Sequence, residues 1–81
     1  MKTVITNNRI DIRGLVCPYT FVKAKLAIES LAIGQVLEIL LDYEEASISI
    51  PRAMKELGHS LLSAEKIGVR DWVLLIRKEK E

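Results

Sequence analysis

"RIDIRGLVCPYTFVKAKLAIESL", residues 9–31, contains the change of period on which the fold turns. Its first four residues alternate polar and apolar, the pattern of a half-buried strand, and Val4–Ile5 are expected to extend that strand toward the N-terminus. From Phe21 onward the apolar residues instead recur at spacings of three and four, through Ala24, Ile28 and Leu31. Lys23, Lys25, Glu29 and Ser30 fall mostly off that stripe, which predicts an amphipathic helix over about residues 18–31 with Gly34 as its stop. Pro18 suits the first helical turn, where its missing N–H costs nothing.

The elements that follow read in the same way. "QVLEILLD", 35–42, is aliphatic and only loosely alternating, as in a central strand. "YEEASIS", 43–49, reads as a polar connection, with Ser47 or Ser49 capping a second helix that carries Pro51 in its first turn. Ile50, Met54 and Leu57 form the apolar face of that helix, and Gly58 ends it. "SLLSAEKI", 60–67, and "DWVLLIRK", 71–78, joined around Gly68, predict an antiparallel hairpin, with "KEKE", 78–81, as a solvated end.

The order is βαβαββ. Two strands joined through a helix lie parallel with a right-handed crossover, and the closing hairpin makes the four-stranded sheet mixed. Each helix has one apolar stripe, so both cover one sheet face. The expected fold is a two-layer α/β (α+β) sandwich, a single domain over residues 1–81.

Composition narrows the function. The chain has 81 residues, 49% hydrophobic and 28% charged, which suits one small globular core. Twelve basic against eleven acidic residues leave a net charge of +1, without the basic excess of a nucleic-acid binder, so no direct nucleic-acid contact is expected. The first residues lack the apolar core of a secretory signal, and no stretch approaches the roughly 18 apolar residues of a membrane span. A single cysteine makes neither an internal disulfide nor a four-cysteine zinc site. A soluble protein of the reducing cytoplasm, with no metal or cofactor and no membrane partner, is the expectation.

That cysteine, Cys17, stands where the strand's loop meets the helix start. Unpaired N–H groups and the positive end of the helix dipole favour an anion there. A stabilisation of about 2 kcal/mol lowers a thiol pKa by about 1.5 units, which raises the thiolate fraction at neutral pH from a few per cent to about half. Arg13 and Lys23 add to this if they approach the sulfur. Gly14 permits a tight turn before the cysteine and Pro18 sets the helix entry after it. Asp11 reads as a turn acceptor around Gly14. On the residues alone an inert, packed cysteine and a reactive one both stand. If it reacts, no second cysteine resolves a mixed disulfide, and His59, the single histidine, carries no mark of a catalytic base. A thiol that accepts a sulfur atom and yields it again needs only one cysteine.

The stretch "IDIRGLVCP" resembles the signature of the TusA (SirA-like) sulfur-carrier family, in which D-x-x-G-L-x-C-P-x-P joins a strand to a helix. The likeness extends over nearly the whole chain. It implies a βαβαββ sandwich and a persulfide on Cys17, moved from a cysteine desulfurase or rhodanese-like donor to an acceptor protein. Such a protein is a sulfurtransferase-like carrier rather than a turnover enzyme. Family routes include tRNA thiolation, molybdenum cofactor supply and sulfur metabolism. Asp11, Gly14, Leu15, Cys17 and Pro18 match the motif, and Asp42 aligns with an acidic position ending the second strand. Thr20 replaces the second proline, and "EEASISIP" lacks the Arg-Asp pair that many members carry. Val22 and Leu26, with Arg13, are candidates for partner docking beside the thiol. The alternative is a regulatory or binding module that uses the fold without thiol chemistry.

Overall fold

A computed structural model describes residues 8–16 and 19–80 of the chain. The expected strand extension through Val4 and Ile5, and the expected places of Cys17 and Pro18, lie outside the described residues. The elements are β1 (Asn8–Asp11), α1 (Tyr19–Glu29), β2 (Val36–Leu41), α2 (Glu44–Glu56), β3 (Ser60–Lys66) and β4 (Trp72–Arg77). The sheet order is β1-β2-β4-β3. β1 runs parallel to β2, and both other pairings are antiparallel, so the sheet is mixed as expected.

Pleating decides which side of the sheet is covered. Leu37, Ile39 and Leu41 of β2 stand opposite Ile76, Leu74 and Trp72 of β4, all on one face. Ala24 and Ile28 of α1, with Ala46, Ile50 and Met54 of α2, join that face in one core. The other face mixes half-buried Leu40, Val73 and Leu75 with the Arg9–Glu38 ion pair, 2.9 Å. Two helices therefore cover one side of a four-stranded sheet. Trp72 packs against the core as its apolar body requires, and the Lys66 ammonium lies 5.3 Å from its ring centroid.

Several sequence expectations need correction. Helix α1 ends at Glu29 rather than residue 31, because the amides of Ser30 and Leu31 turn to the carbonyls of Ala27 and Ile28 three residues back. Gly34 comes five residues after that end, where its amide donates to the Lys78 carbonyl at 2.7 Å. Helix α2 starts at Glu44, so "YEEASIS" is mostly helix and neither Ser47 nor Ser49 caps it. Glu44 and Glu45 sit in the first turn, where carboxylates complement the dipole, and buried Ala46 supplies an anchor that the larger apolar residues hide. Pro51 lies inside the helix, not at its start. Its buried ring compensates for a missing hydrogen bond to the residue-47 carbonyl. Leu57 is 40% exposed at the C-cap rather than part of the apolar face. Gly58, at φ 95°, closes the helix with its own amide on the Lys55 carbonyl and the His59 amide on that of Met54.

The terminal "KEKE" is not simply a solvated end. Lys78 is 6% exposed, and its ammonium donates to the carbonyls of Glu29 (3.1 Å) and Leu31 (2.6 Å). The Glu29 carbonyl ends α1 and that of Leu31 lies two residues beyond it, where unpaired acceptors and the dipole favour a cation. Next to it the Glu79 carboxylate accepts from Arg77 Nε at 2.9 Å and from the Ser60 hydroxyl.

Near this end His59 Nδ1 accepts the Glu79 amide at 3.1 Å. Partial burial and the nearby Lys78 ammonium hold the imidazole below its usual 6.5, against a smaller opposite pull from Glu79. The unfolded chain therefore binds this proton more readily than the folded one, so stability rises with pH through the window. The contribution is complete above about 6.5 and is lost as pH falls toward the lower folded value. Thermal midpoints should drop between pH 7.5 and 5.5, above the range where ordinary carboxylates titrate. His59→Asn, which keeps an acceptor but does not titrate, should flatten that slope; an equal slope in the variant would assign it elsewhere.

Candidate functional site

The segment leading to Cys17 is tied down residue by residue. The Ile12 amide extends the β1–β2 ladder by donating to the Leu40 carbonyl at 2.8 Å, and the Ile12 side chain is buried. Asp11 then turns the chain. Its Oδ1 accepts the Arg13 amide (3.1 Å) and Nε (3.0 Å), and its Oδ2 accepts the second guanidinium arm at 2.8 Å. Asp11 thus accepts a backbone amide at the turn, from Arg13 and not from Gly14. The Arg13 guanidinium and amide hold the Asp11 carboxyl below the usual carboxylate range, and Asp11 raises Arg13 in return.

Gly14 follows at φ 88°, a conformation in which any side chain is strained, although open space surrounds the position. Its amide donates to Asp42 Oδ1 at 2.9 Å, a bond from the loop to the residue just past β2. The Leu15 amide closes the turn on the Ile12 carbonyl at 3.2 Å, while the Leu15 side chain packs against the core. The Val16 carbonyl accepts the amides of Tyr19 (2.8 Å) and Thr20 (3.2 Å). Thr20 stands where the family signature has its second proline, and the second of these bonds is one that proline lacks the N–H to make. Its side chain is buried in the α1 interface.

Arg13 does not stand as a free cation. Besides Asp11, its guanidinium lies 3.6 Å from Asp71, at the end of the β3–β4 turn. Two carboxylates largely offset the positive charge that the sequence allowed beside the sulfur. Asp71 carries no signal in the sequence, because it reaches the loop only through the hairpin. Asp42 was visible as an acidic residue ending β2, but its bond to Gly14 was not.

Val22 and Leu26 are 46% and 60% exposed. With Tyr19, 63% exposed, they form an apolar strip on the side of α1 opposite buried Thr20, Ala24 and Ile28. His59 lies elsewhere. β4 runs from Trp72, opposite Leu41, to Arg77, opposite Ser60 and Val36, which places His59 at the far end of the sheet from Asp42 and Gly14. The span is roughly 17 Å, so His59 stands away from the described residues of the loop before residue 17. No helix among the described residues is long and apolar enough to cross a membrane.

Comparison with known proteins identifies the family and the fold. The family model described as sulfurtransferase TusA matches residues 8–78. A protein of Archaeoglobus fulgidus named "Putative sulfur carrier protein" is 40% identical over 78 residues, covering 96% of this chain and 89% of the relative. A Thermotoga maritima protein of the same name is 37% identical over 68 residues, covering 84% and 86%. The crystal structure of a SirA-like protein from Desulfitobacterium hafniense superposes with a TM-score of 0.79 at 22% identity, over 90% of this chain and 99% of the other, and shares the fold. The chain therefore belongs to the sulfurtransferase TusA family, sulfur-relay proteins that interact with sulfur donors and acceptors.

Proposed function

We propose that the protein carries sulfane sulfur as a persulfide on Cys17, receiving it from a cysteine desulfurase or rhodanese-like donor and yielding it to an acceptor protein in the cytoplasm. What supports this most is the match of Asp11, Gly14, Leu15, Cys17 and Pro18 to the family signature, together with family membership across residues 8–78. In loading, the Cys17 thiolate attacks the outer sulfur of the donor's persulfide. A new S–S bond forms on Cys17, the donor's S–S bond breaks, and its electron pair leaves on the donor thiolate. Unloading repeats the exchange toward an acceptor thiolate, so no oxidant or reductant is consumed. Incubation with a cysteine desulfurase and cysteine should add the mass of one sulfur atom, removable by a reductant. Absence of that addition with both desulfurase and rhodanese donors would refute the carrier reading.

Docking falls to the strip of Val22 and Leu26, with Tyr19 and Arg13 nearer the loop. Burying such a strip against a partner removes apolar surface from water. Leu26→Glu should leave the unfolding free energy within about 0.5 kcal/mol, since the site is exposed. Loading from the desulfurase should slow several-fold while loading from inorganic polysulfide, which needs no docking face, stays unchanged. An unaltered rate with the protein donor would take this helix face out of the interface.

A further inference from the structure

We infer that Asp42 is a positioning residue for sulfur transfer: from the end of β2 it fixes the Gly14 turn and, through it, the setting of the thiol three residues on. The inference rests on the carrier reading above and adds a residue to it. Asp11 does not take this part: both its oxygens accept from Arg13, and the Gly14 amide goes to Asp42 instead. Asp42 is the group that bonds the Gly14 amide, and it does so across 28 residues of sequence. Register explains its reach. Asp11 pairs with Leu40 in the parallel β1–β2 ladder, so Asp42, two residues further, comes alongside the turn that begins after β1 ends.

The bond also acts where the backbone has least restraint of its own. Gly14 is at φ 88°, has no side chain to anchor it, and nothing stands within 4 Å of where a Cβ would lie. After it, Leu15 closes on Ile12 and the Val16 carbonyl begins the hydrogen bonding of α1. The Asp42 bond ties this run to the central strand of the sheet. A reacting sulfur must meet its partner sulfur in a narrow range of position, and fixing the loop before encounter reduces the ordering left to be done.

Two substitutions separate this role from electrostatics. Asp42→Asn and Asp42→Ala both remove a negative charge, but only Asn keeps an oxygen that accepts the Gly14 N–H. The expected result is that Asp42→Asn loads from a cysteine desulfurase near the wild-type rate, whereas Asp42→Ala is slower by about tenfold or more, the worth of a lost hydrogen bond to a charged group. The pH profile of Cys17 alkylation by iodoacetamide should also differ between the two variants, a readout that needs no sulfur donor. A purely structural Asp42 would lower the thermal midpoint of the Ala variant and leave the two profiles and loading rates alike, which would overturn the inference. Equal slowing of Asn and Ala would overturn it too, since charge rather than the bond would then be responsible. Should the Ala variant not fold, amide exchange in the wild type decides: Gly14 should be protected relative to an open peptide, and free exchange there rules the bond out. Wild-type protein that takes up no sulfur from any donor defeats the carrier reading. Wild-type protein that loads normally, with an Ala variant that matches the Asn variant, defeats the present one.

Discussion

Cys17→Ser abolishes sulfur uptake. The chain has one cysteine, and its two methionines carry thioethers with no proton to lose and no free valence for a persulfide. Serine preserves size and polarity, but its hydroxyl ionises far less readily than a thiol and its oxygen does not form the S–S bond on which exchange depends. The expected result after incubation with a cysteine desulfurase and cysteine is an unchanged mass for the variant and one added sulfur atom for the wild type. Circular dichroism establishes that both are folded. A sulfur-loaded variant would overturn the assignment of the carrier atom. If the variant instead supports growth as well as the wild type in a strain lacking the gene, the fold serves as a binding or regulatory module without thiol chemistry.

The second large effect is on stability. Ile39 is fully buried at the centre of β2, opposite Ile10 of β1 and Leu74 of β4. Ile39→Ala removes three carbons where the sheet and both helices meet, at a cost of about 3–5 kcal/mol. A chain of this length has a total stability of about 4–12 kcal/mol, so the variant loses about a quarter of it or more. Urea unfolding should show the midpoint fall by about 3–5 M if the slope is near 1 kcal/mol per molar. Leu40→Ala, one residue on and half-buried on the open face, should cost less than half as much. Equal effects at the two positions would contradict a sheet covered by helices on one side.

The three acidic residues that bond Arg13 and Gly14 show how far reading along the chain can go. Asp11 is legible because it acts within two residues of itself, and the signature D-x-x-G marks the turn. Asp42 and Asp71 act across β2 and across the β3–β4 hairpin, so their meeting with Gly14 and Arg13 depends on strand register. Arg13 changes meaning for the same reason. As a residue near the cysteine it reads as a free cation, and in the folded chain it is shared between two carboxylates.

Periodicity and turn chemistry were sufficient for the element order, the parallel first pair, the closing hairpin and the exposed strip of Val22 and Leu26, because each arises from neighbours a few residues apart. The start of α2, the interior place of Pro51 and the burial of Lys78 came from packing alone. Local signals made "YEEASIS" a loop and "KEKE" a wet tail. Contact with the sheet made Ala46 and Pro51 part of a buried helix face, and the unpaired carbonyls at the end of α1 drew in the Lys78 ammonium. Such groups are satisfied by whichever partner the fold brings within reach, and that partner is set by three-dimensional proximity, not by distance along the chain.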